Sequence, residues 1–365
     1  MQIWLCLPAA SRVNYSLTWI DWTFHLPIPV PAYFHGNRKG NRVNRRDTVL
    51  ALLTLGAAPF AAEAQPVRIY RVGVLWVGGA ASASIDGLRD GLRGLGLDEG
   101  KQIIFHLRDG IGDLKSVDTS AQRLEGERVD IIFTVSTSVT LAAKRATKNV
   151  PIVFYAGNDP VKVGLVESYR KPGGRLTGIH SQNGDLTAKR VQLLKEMVPR
   201  IRRVATFYNP ENPASQQAVK NMREATQRLN LELVQRHVTS IDQLRAALSA
   251  LRPAEADAIL TVSDSMVSSR PDLIIRAAAE KKLPTMFHFS DDVAKGALAS
   301  YGASYYDLGR LSAKHVQRIL TGAVPGDLPV EQVDRFSFIV NLKTARELGI
   351  TIPQSVLLRA DRVIE

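Results

Sequence analysis

The sequence predicts an α/β protein made of two doubly wound, Rossmann-like lobes that face each other across a ligand cleft. Three observations lead there. Short β-branched runs alternate with helix-period patterns from residue 69 onward, a turn-rich stretch (Lys171-Pro172-Gly173-Gly174) interrupts the alternation before it restarts, and polar clusters stand just after several strands. With 365 residues, 45% of them hydrophobic, the chain is long enough for two ordinary globular domains.

The first series opens with a strand over 69–77 that ends in Gly78-Gly79. Residues 84–95 follow as a helix, because Ile85, Leu88, Leu92 and Leu95 recur at helical spacing. Strands over 103–107, 131–135 and 152–155 alternate with helices around 117–128 and over 139–147, and a strand over 176–181 follows the break. The second series reads helix 188–198, strand 204–208, helix 214–230, strand 231–238, helix 241–251, strand 256–262, helix 271–282 and strand 285–289. A strand over 297–303, a helix over 306–320 and the segment 335–365 are too short for a third domain and are expected to complete the two lobes. The expected division is 65–181 plus 300–330 for the first lobe and 182–299 plus 331–365 for the second, joined by a multi-strand hinge.

The first 64 residues differ from the rest. Trp4, Trp19, Trp22 and Cys6, the only cysteine, all fall within 22 residues. Arg45-Arg46, an apolar run over 48–60 and the small-residue sequence Ala62-Glu63-Ala64 form an export signal, too short to span a bilayer permanently. Asn44-Arg45-Arg46-Asp47-Thr48-Val49-Leu50 resembles a twin-arginine signal with Val49 in place of the usual Phe, so that route and general secretion both stay open. Residues 1–42, with Arg12, Asp21 and Pro27, Pro29 and Pro31, suit neither a span nor a regular element; translation is expected to start near Val43. Cleavage after Ala64 leaves residues 65–365 without cysteine, which suits an oxidising compartment, and lowers the net charge of +12 to about +9. That charge is scattered along helices such as 220–228, a solvated exterior with no stripe for nucleic acid.

Lobes of this kind turn their strand C-terminal ends, and the N-termini of the following helices, toward the cleft. Binding residues are therefore sought just after strands. Gly78 ends the first strand. Ser136-Thr137-Ser138 opens a helix, where capping needs one hydroxyl and leaves others for a ligand. Tyr155 offers a stacking face, Gly157 close backbone approach and Asn158 a polar group, while Asp159 is either a helix start or a counter-charge. In the second series the equivalents are Asn209-Pro210, Ser263-Asp264-Ser265 and His288-Phe289-Ser290-Asp291, with Phe287 and Tyr301, both within predicted strands, as further candidates. Asp264 is the best carboxylate for a buried ammonium, a plain cap being its other reading.

Catalytic arrangements are missing from the sequence: it has no G-x-S-x-G, P-loop or H-E-x-x-H. Gly91-Leu-Arg-Gly94-Leu-Gly96 has the wrong glycine order for a dinucleotide turn. His106, His180, His237, His288 and His315 show no metal-ligand spacing. Neither a metal nor a cofactor is expected, and the chain is not expected to be an enzyme.

Several motifs together resemble the substrate-binding proteins of ABC transporters with a type I periplasmic-binding fold, in the tryptophan- and tyrosine-type branch. They are Thr137 with Leu141-Ala142-Ala143-Lys144, Gly157-Asn158-Asp159-Pro160-Val161, Arg170-Lys171-Pro172-Gly173-Gly174, Asn209-Pro210-Glu211-Asn212-Pro213, Ser300-Tyr301-Gly302, and the closing Asn341 to Asp361. Ser136 and Ser138 stand where many members have Gly and Pro, and Asn158 is often Gly or Asp. The resemblance implies an exported, periplasmic and monomeric receptor that closes on a small solute and delivers it to an ABC permease and its ATPase. For an amino acid, Thr137 and Ser138 would hold the carboxylate, Asp159 or Asp264 the ammonium, and Tyr155 or Phe287 an aromatic side chain. A transcription regulator on this fold would need a helix-turn-helix ahead of residue 65, where the export-like run stands instead; a doubly wound enzyme is the other alternative.

Overall fold

A computed structural model describes residues 68–181 and 186–365; the leader, its cleavage sequence and the expected start near Val43 lie outside them. In chain order the first series is β1 (Tyr70–Trp76), α1 (Ala83–Gly94), β2 (Ile103–Asp109), α2 (Leu114–Gly126), β3 (Ile131–Val135), α3 (Thr137–Ala146), β4 (Ile152–Ala156) and β5 (Leu176–His180). The second is α4 (Thr187–Met197), β6 (Arg203–Tyr208), α5 (Pro213–Arg228), β7 (Glu232–His237), α6 (Ile241–Ala250), β8 (Ala258–Leu260), α7 (Ser265–Ser268), α8 (Pro271–Glu280), β9 (Thr285–Phe287) and β10 (Ala299–Gly302). Then come α9 (Tyr305–Leu320), β11 (Glu331–Gln332), β12 (Ser337–Asn341), α10 (Leu342–Glu347), α11 (Gln354–Leu357) and β13 (Arg362–Ile364).

These strands form two sheets. The first is parallel throughout, ordered β2-β1-β3-β4-β5-β11; the second runs β7-β6-β8-β9-β10-β12-β13, with β12 antiparallel to β10. Each begins 2-1-3-4-5 in its own series, so strand order reverses between β1 and β3 and again between β6 and β8. Crevices open at such switch points.

Burial on both sheet faces follows from the strand sequences. Along β1, Val72, Val74 and Trp76 pack into one core cluster while Leu75 packs into the other. Helix starts carry the expected caps: Asp113, Ser136, Asn212 and Ser240 each accept a backbone N–H, and Pro213 and Pro271 stand in first turns.

The later segments are distributed differently from the predicted division. β10, placed by sequence in the first lobe, pairs with β9 and β12 in the second sheet, and Glu331-Gln332 pairs with β5 in the first. Between them α9 covers the first lobe against α1. The two helices touch backbone to backbone: a Cβ on Gly87 would lie 1.8 Å from the Tyr306 carbonyl oxygen, and one on Gly309 1.9 Å from that of Ser84. The chain thus passes between lobes after β5, after β10 and after β11, which makes the hinge.

Candidate functional site

The loops after β1, β3, β6 and β8, at the two switch points, carry half of the residues singled out from sequence, and the segments at β4, β9 and β10 carry the rest. After β3, Ser136 adopts φ 96°, ψ 153°, a region that side chains other than glycine's rarely enter. Its hydroxyl caps α3 at the Val139 N–H. Thr137 donates to Asn158 Oδ1 at 3.1 Å and accepts from the Asn158 N–H at 3.3 Å, so it holds the loop after β4. The serine immediately after it, Ser138, donates to Asn212 Oδ1 in the second lobe at 3.0 Å, and Asn158 Nδ2 reaches the Ala214 carbonyl there at 3.5 Å.

Asp264 is buried and faces four donors. Its Oδ2 accepts from the Asn209 N–H at 3.0 Å, from Asn212 Nδ2 at 3.4 Å and from the Ser215 hydroxyl; its Oδ1 accepts the Val267 N–H at 3.0 Å, capping α7, and no other donor among the described residues. The residue is both cap and brace for the loop after β6. A carboxylate offers about four lone-pair sites, so Oδ1 retains room for one further donor. Asp159 serves its own loop: it accepts from the N–H groups of Val161 and Lys162 at 3.0 and 3.2 Å and pairs with the Lys162 ammonium at 3.6 Å. Burial pushes its carboxyl up, but bonds from Tyr169 and those two N–H groups bring it below the usual value.

An aromatic cluster sits beside Asp264. Phe289 and Tyr305 stack with ring centres 3.8 Å apart, and both meet Tyr155 edge-on at 6.3 Å. Tyr155 bonds through its hydroxyl to Ser181 at 2.8 Å; burial raises its pKa, with the Ser181 bond acting the other way. His288 joins Thr261 through Nδ1 at 2.8 Å and Ser268 through Nε2 at 3.1 Å. Burial, with Arg190 nearby, holds it well below the ordinary histidine value and therefore neutral. Arg190, buried, donates to the carbonyls of Tyr301 and His288 at 2.7 and 3.4 Å; burial lowers its pKa to about 9.

Two aromatic expectations are corrected here. Phe287 is packed in the apolar cluster of α6 and α8 with Leu244, Leu248 and Ile274, because β9 stops there; Phe289, beyond the strand end, reaches the first lobe's core instead. Tyr301 contributes its carbonyl to Arg190 while its ring packs against the second lobe's other cluster and lies 6.4 Å from Phe336. Neither lines the inner cavity described next. Sequence reading had Phe289 in the strand-end stretch 288–291 but assigned the stacking role to Phe287, and it missed Tyr305, just past a strand end, and Asn212, whose Asn-Pro pair signalled the cap.

The lobes are closed on each other. A Cβ on Gly79 would meet the Ser268 carbonyl oxygen at 2.4 Å, and Gly78 lies against Ser269. An inner cavity of about 20 Å³ remains, lined by Ser136, Tyr155, Gly157, Ser263, Asp264, Ser265, Ser268, His288, Phe289 and Tyr305. It has room for about one water molecule. Six of the residues expected from sequence meet there: Ser136, Tyr155, Gly157, Ser263, Asp264 and His288. Outside it an open groove of about 730 Å³ is lined by Ser138 and Lys144 of the first lobe and Asn209, Asn212 and Met266 of the second.

Two α/β lobes closing over polar and aromatic side chains at paired switch points define a bilobal solute-binding protein. Residues 72–364 match the family described as ABC transporter substrate binding protein, and the chain belongs to that family. Its partners are accordingly a small molecule and a membrane permease. The chain is 28% identical over 255 residues to a protein named tyrosine-binding protein from Clostridioides difficile (strain R20291), covering 70% of this chain and 73% of that one. It is similar to an ABC domain in complex with L-Trp from Streptococcus pneumonia, at 27% identity and TM-score 0.74 over 81% of this chain and 100% of that one. A ligand-free, open substrate-binding protein with adhesive properties from Clostridium difficile is also 27% identical over 81% of this chain and 99% of that one, but its TM-score is 0.55. The better match to the liganded structure accords with the closed lobes. No helix among the described residues is long and apolar enough to cross a membrane.

Proposed function

We propose that this protein is an exported, non-catalytic receptor that captures an aromatic amino acid between its lobes and delivers it to the permease and ATPase of an ABC importer. The observation that carries the reading is the inner cavity, where the rings of Tyr155, Phe289 and Tyr305 adjoin the Asp264 carboxylate. The rings match an aromatic side chain, and Oδ1 of Asp264 suits its ammonium. At 20 Å³ the cavity admits neither as it stands, so capture requires the lobes to part about the three-segment hinge and to reclose around the solute less tightly than they meet here. Closure then removes the solute from water, which penalises any solute that leaves a buried polar group without its partner. The relatives named for tyrosine and solved with L-Trp support the same solute class.

The test is calorimetric titration with L-tyrosine and L-tryptophan beside L-alanine and L-glutamate. Binding of either aromatic amino acid in preference to the others is expected; binding of none of the four overturns the amino-acid reading. We read residues 43–64 as the export signal and the mature chain as a periplasmic monomer. Mass spectrometry of the exported protein is expected to give Gln65 as its first residue, and peptides from residues 1–42 would contradict the expected start near Val43.

A further inference from the structure

The polar side chains around the inner cavity are mostly committed within the protein. Tyr155 bonds to Ser181, His288 to Thr261 and Ser268, Asp264 to four donors, and Ser136 to the Val139 N–H. Ser265 differs. Its Oγ is closed off from solvent and has no hydrogen-bond partner among the described residues, although the residue lines the cavity. A buried hydroxyl without a partner is uncommon in folded proteins and is a cost to the fold that holds it.

We propose that Ser265 is a specificity-determining contact whose hydroxyl donates to a carboxylate oxygen of the captured solute. The proposal rests on the reading that the solute is an amino acid. Thr137 and Ser138, the hydroxyls expected from sequence to take the carboxylate, are occupied in the closed form by Asn158 and by Asn212. Ser265 follows Asp264 directly in the chain and lines the same cavity. An α-amino acid carries its carboxylate and ammonium on one carbon, so neighbouring residues that supply a donor and a carboxylate match that pair of groups. A solute with an ammonium but no carboxylate would leave the Ser265 hydroxyl idle.

The experiment compares the full-length wild-type chain with Ser265→Ala in two measurements: melting without solute, and calorimetric titration with L-tyrosine and L-tryptophan. The expected result is an unchanged or raised melting temperature in the variant, because no bond is lost, together with about tenfold weaker binding. A melting temperature lowered by several degrees would show the hydroxyl to be employed in the fold and would overturn the proposal. If the wild type binds and the variant binds equally well, the proposal alone falls. If the wild type binds only L-alanine or L-glutamate of the four, the variant is titrated with that amino acid under the same criteria; a wild type that binds none of the four removes the amino-acid reading and this proposal together.

Discussion

Replacing Ser136 by glycine should stabilise the protein, although it deletes a helix cap. At φ 96°, ψ 153° the residue occupies backbone space that is essentially glycine's, and holding another residue there costs about 1–3 kcal/mol. Against the substitution stand two terms. The Ser136 bond to the Val139 N–H is long, 3.4 Å, and exchanging a serine cap for glycine costs only a few tenths of a kcal/mol. Glycine also makes the unfolded chain freer, by about 0.4–1 kcal/mol. The balance favours Ser136→Gly by about 1 kcal/mol, or about 1–2 °C in melting temperature for a protein of this size. Ser136→Ala keeps the strained backbone and loses the cap, so it should fall below wild type by about 0.5–1 kcal/mol. Urea unfolding of the three proteins followed by circular dichroism provides the check. Opposite signs for Gly and Ala are the signature; a glycine variant less stable than wild type would refute the strain argument.

Gly79→Ala places a Cβ 2.4 Å from the Ser268 carbonyl oxygen across the cleft, so the lobes should fail to seat; solute binding is expected to weaken about tenfold, and small-angle scattering with saturating solute should report a larger radius of gyration than wild type. Asp264→Ala strips the acceptor from three buried donors and the half-buried Asn209 N–H and should cost about 3 kcal/mol in urea unfolding, whereas a loss below about 0.5 kcal/mol would deny its bracing role. Burial raises the pKa of Asp292 from 3.8 to about 6, opposed by Lys295, so the folded state favours its proton. That contribution is complete below about pH 4 and is lost as pH rises to about 6; Asp292→Asn should therefore gain about 2 kcal/mol relative to wild type over that interval, measured as the pH dependence of unfolding, and a constant difference across it would count against the assignment.

Both the alternation of elements and its restart were legible because each strand and helix carries its own periodicity. So were the loops after β1, β3, β6 and β8, since a polar residue following an apolar strand marks a strand mouth whatever the rest of the chain does. Edge membership was another matter. That residues 299–302 form a strand shows in their sequence, but its place between β9 and β12 depends on pairing with Val340 and its neighbours, far along the chain. The same limit explains Phe287 and Phe289. In an uninterrupted strand both would face one side; β9 ends at Phe287, the backbone turns into the 3-10 segment Ser290–Lys295, and the two rings enter different cores. Asp264 was found as a cleft carboxylate, but its bracing role was hidden because Asn209, Asn212 and Ser215 lie about fifty residues earlier. Ser265 showed in the sequence only as the last member of the polar cluster Ser263-Asp264-Ser265 after its strand.

The seating of α9 on α1 also sets an order of assembly. The first lobe begins with β1 at Tyr70, yet the helix that covers α1 arrives only at Tyr305, and its edge strand at Glu331. Until that part of the chain has emerged, Leu88, Leu92 and the other apolar residues of α1 lack the partners they have among Leu308, Ala313 and Val316. The lobe that is made first is therefore completed after most of the second has been synthesised. A ribosome accordingly does not release the closing helix until most of the protein has been made, and the apolar face of α1 stays uncovered for nearly the whole of synthesis.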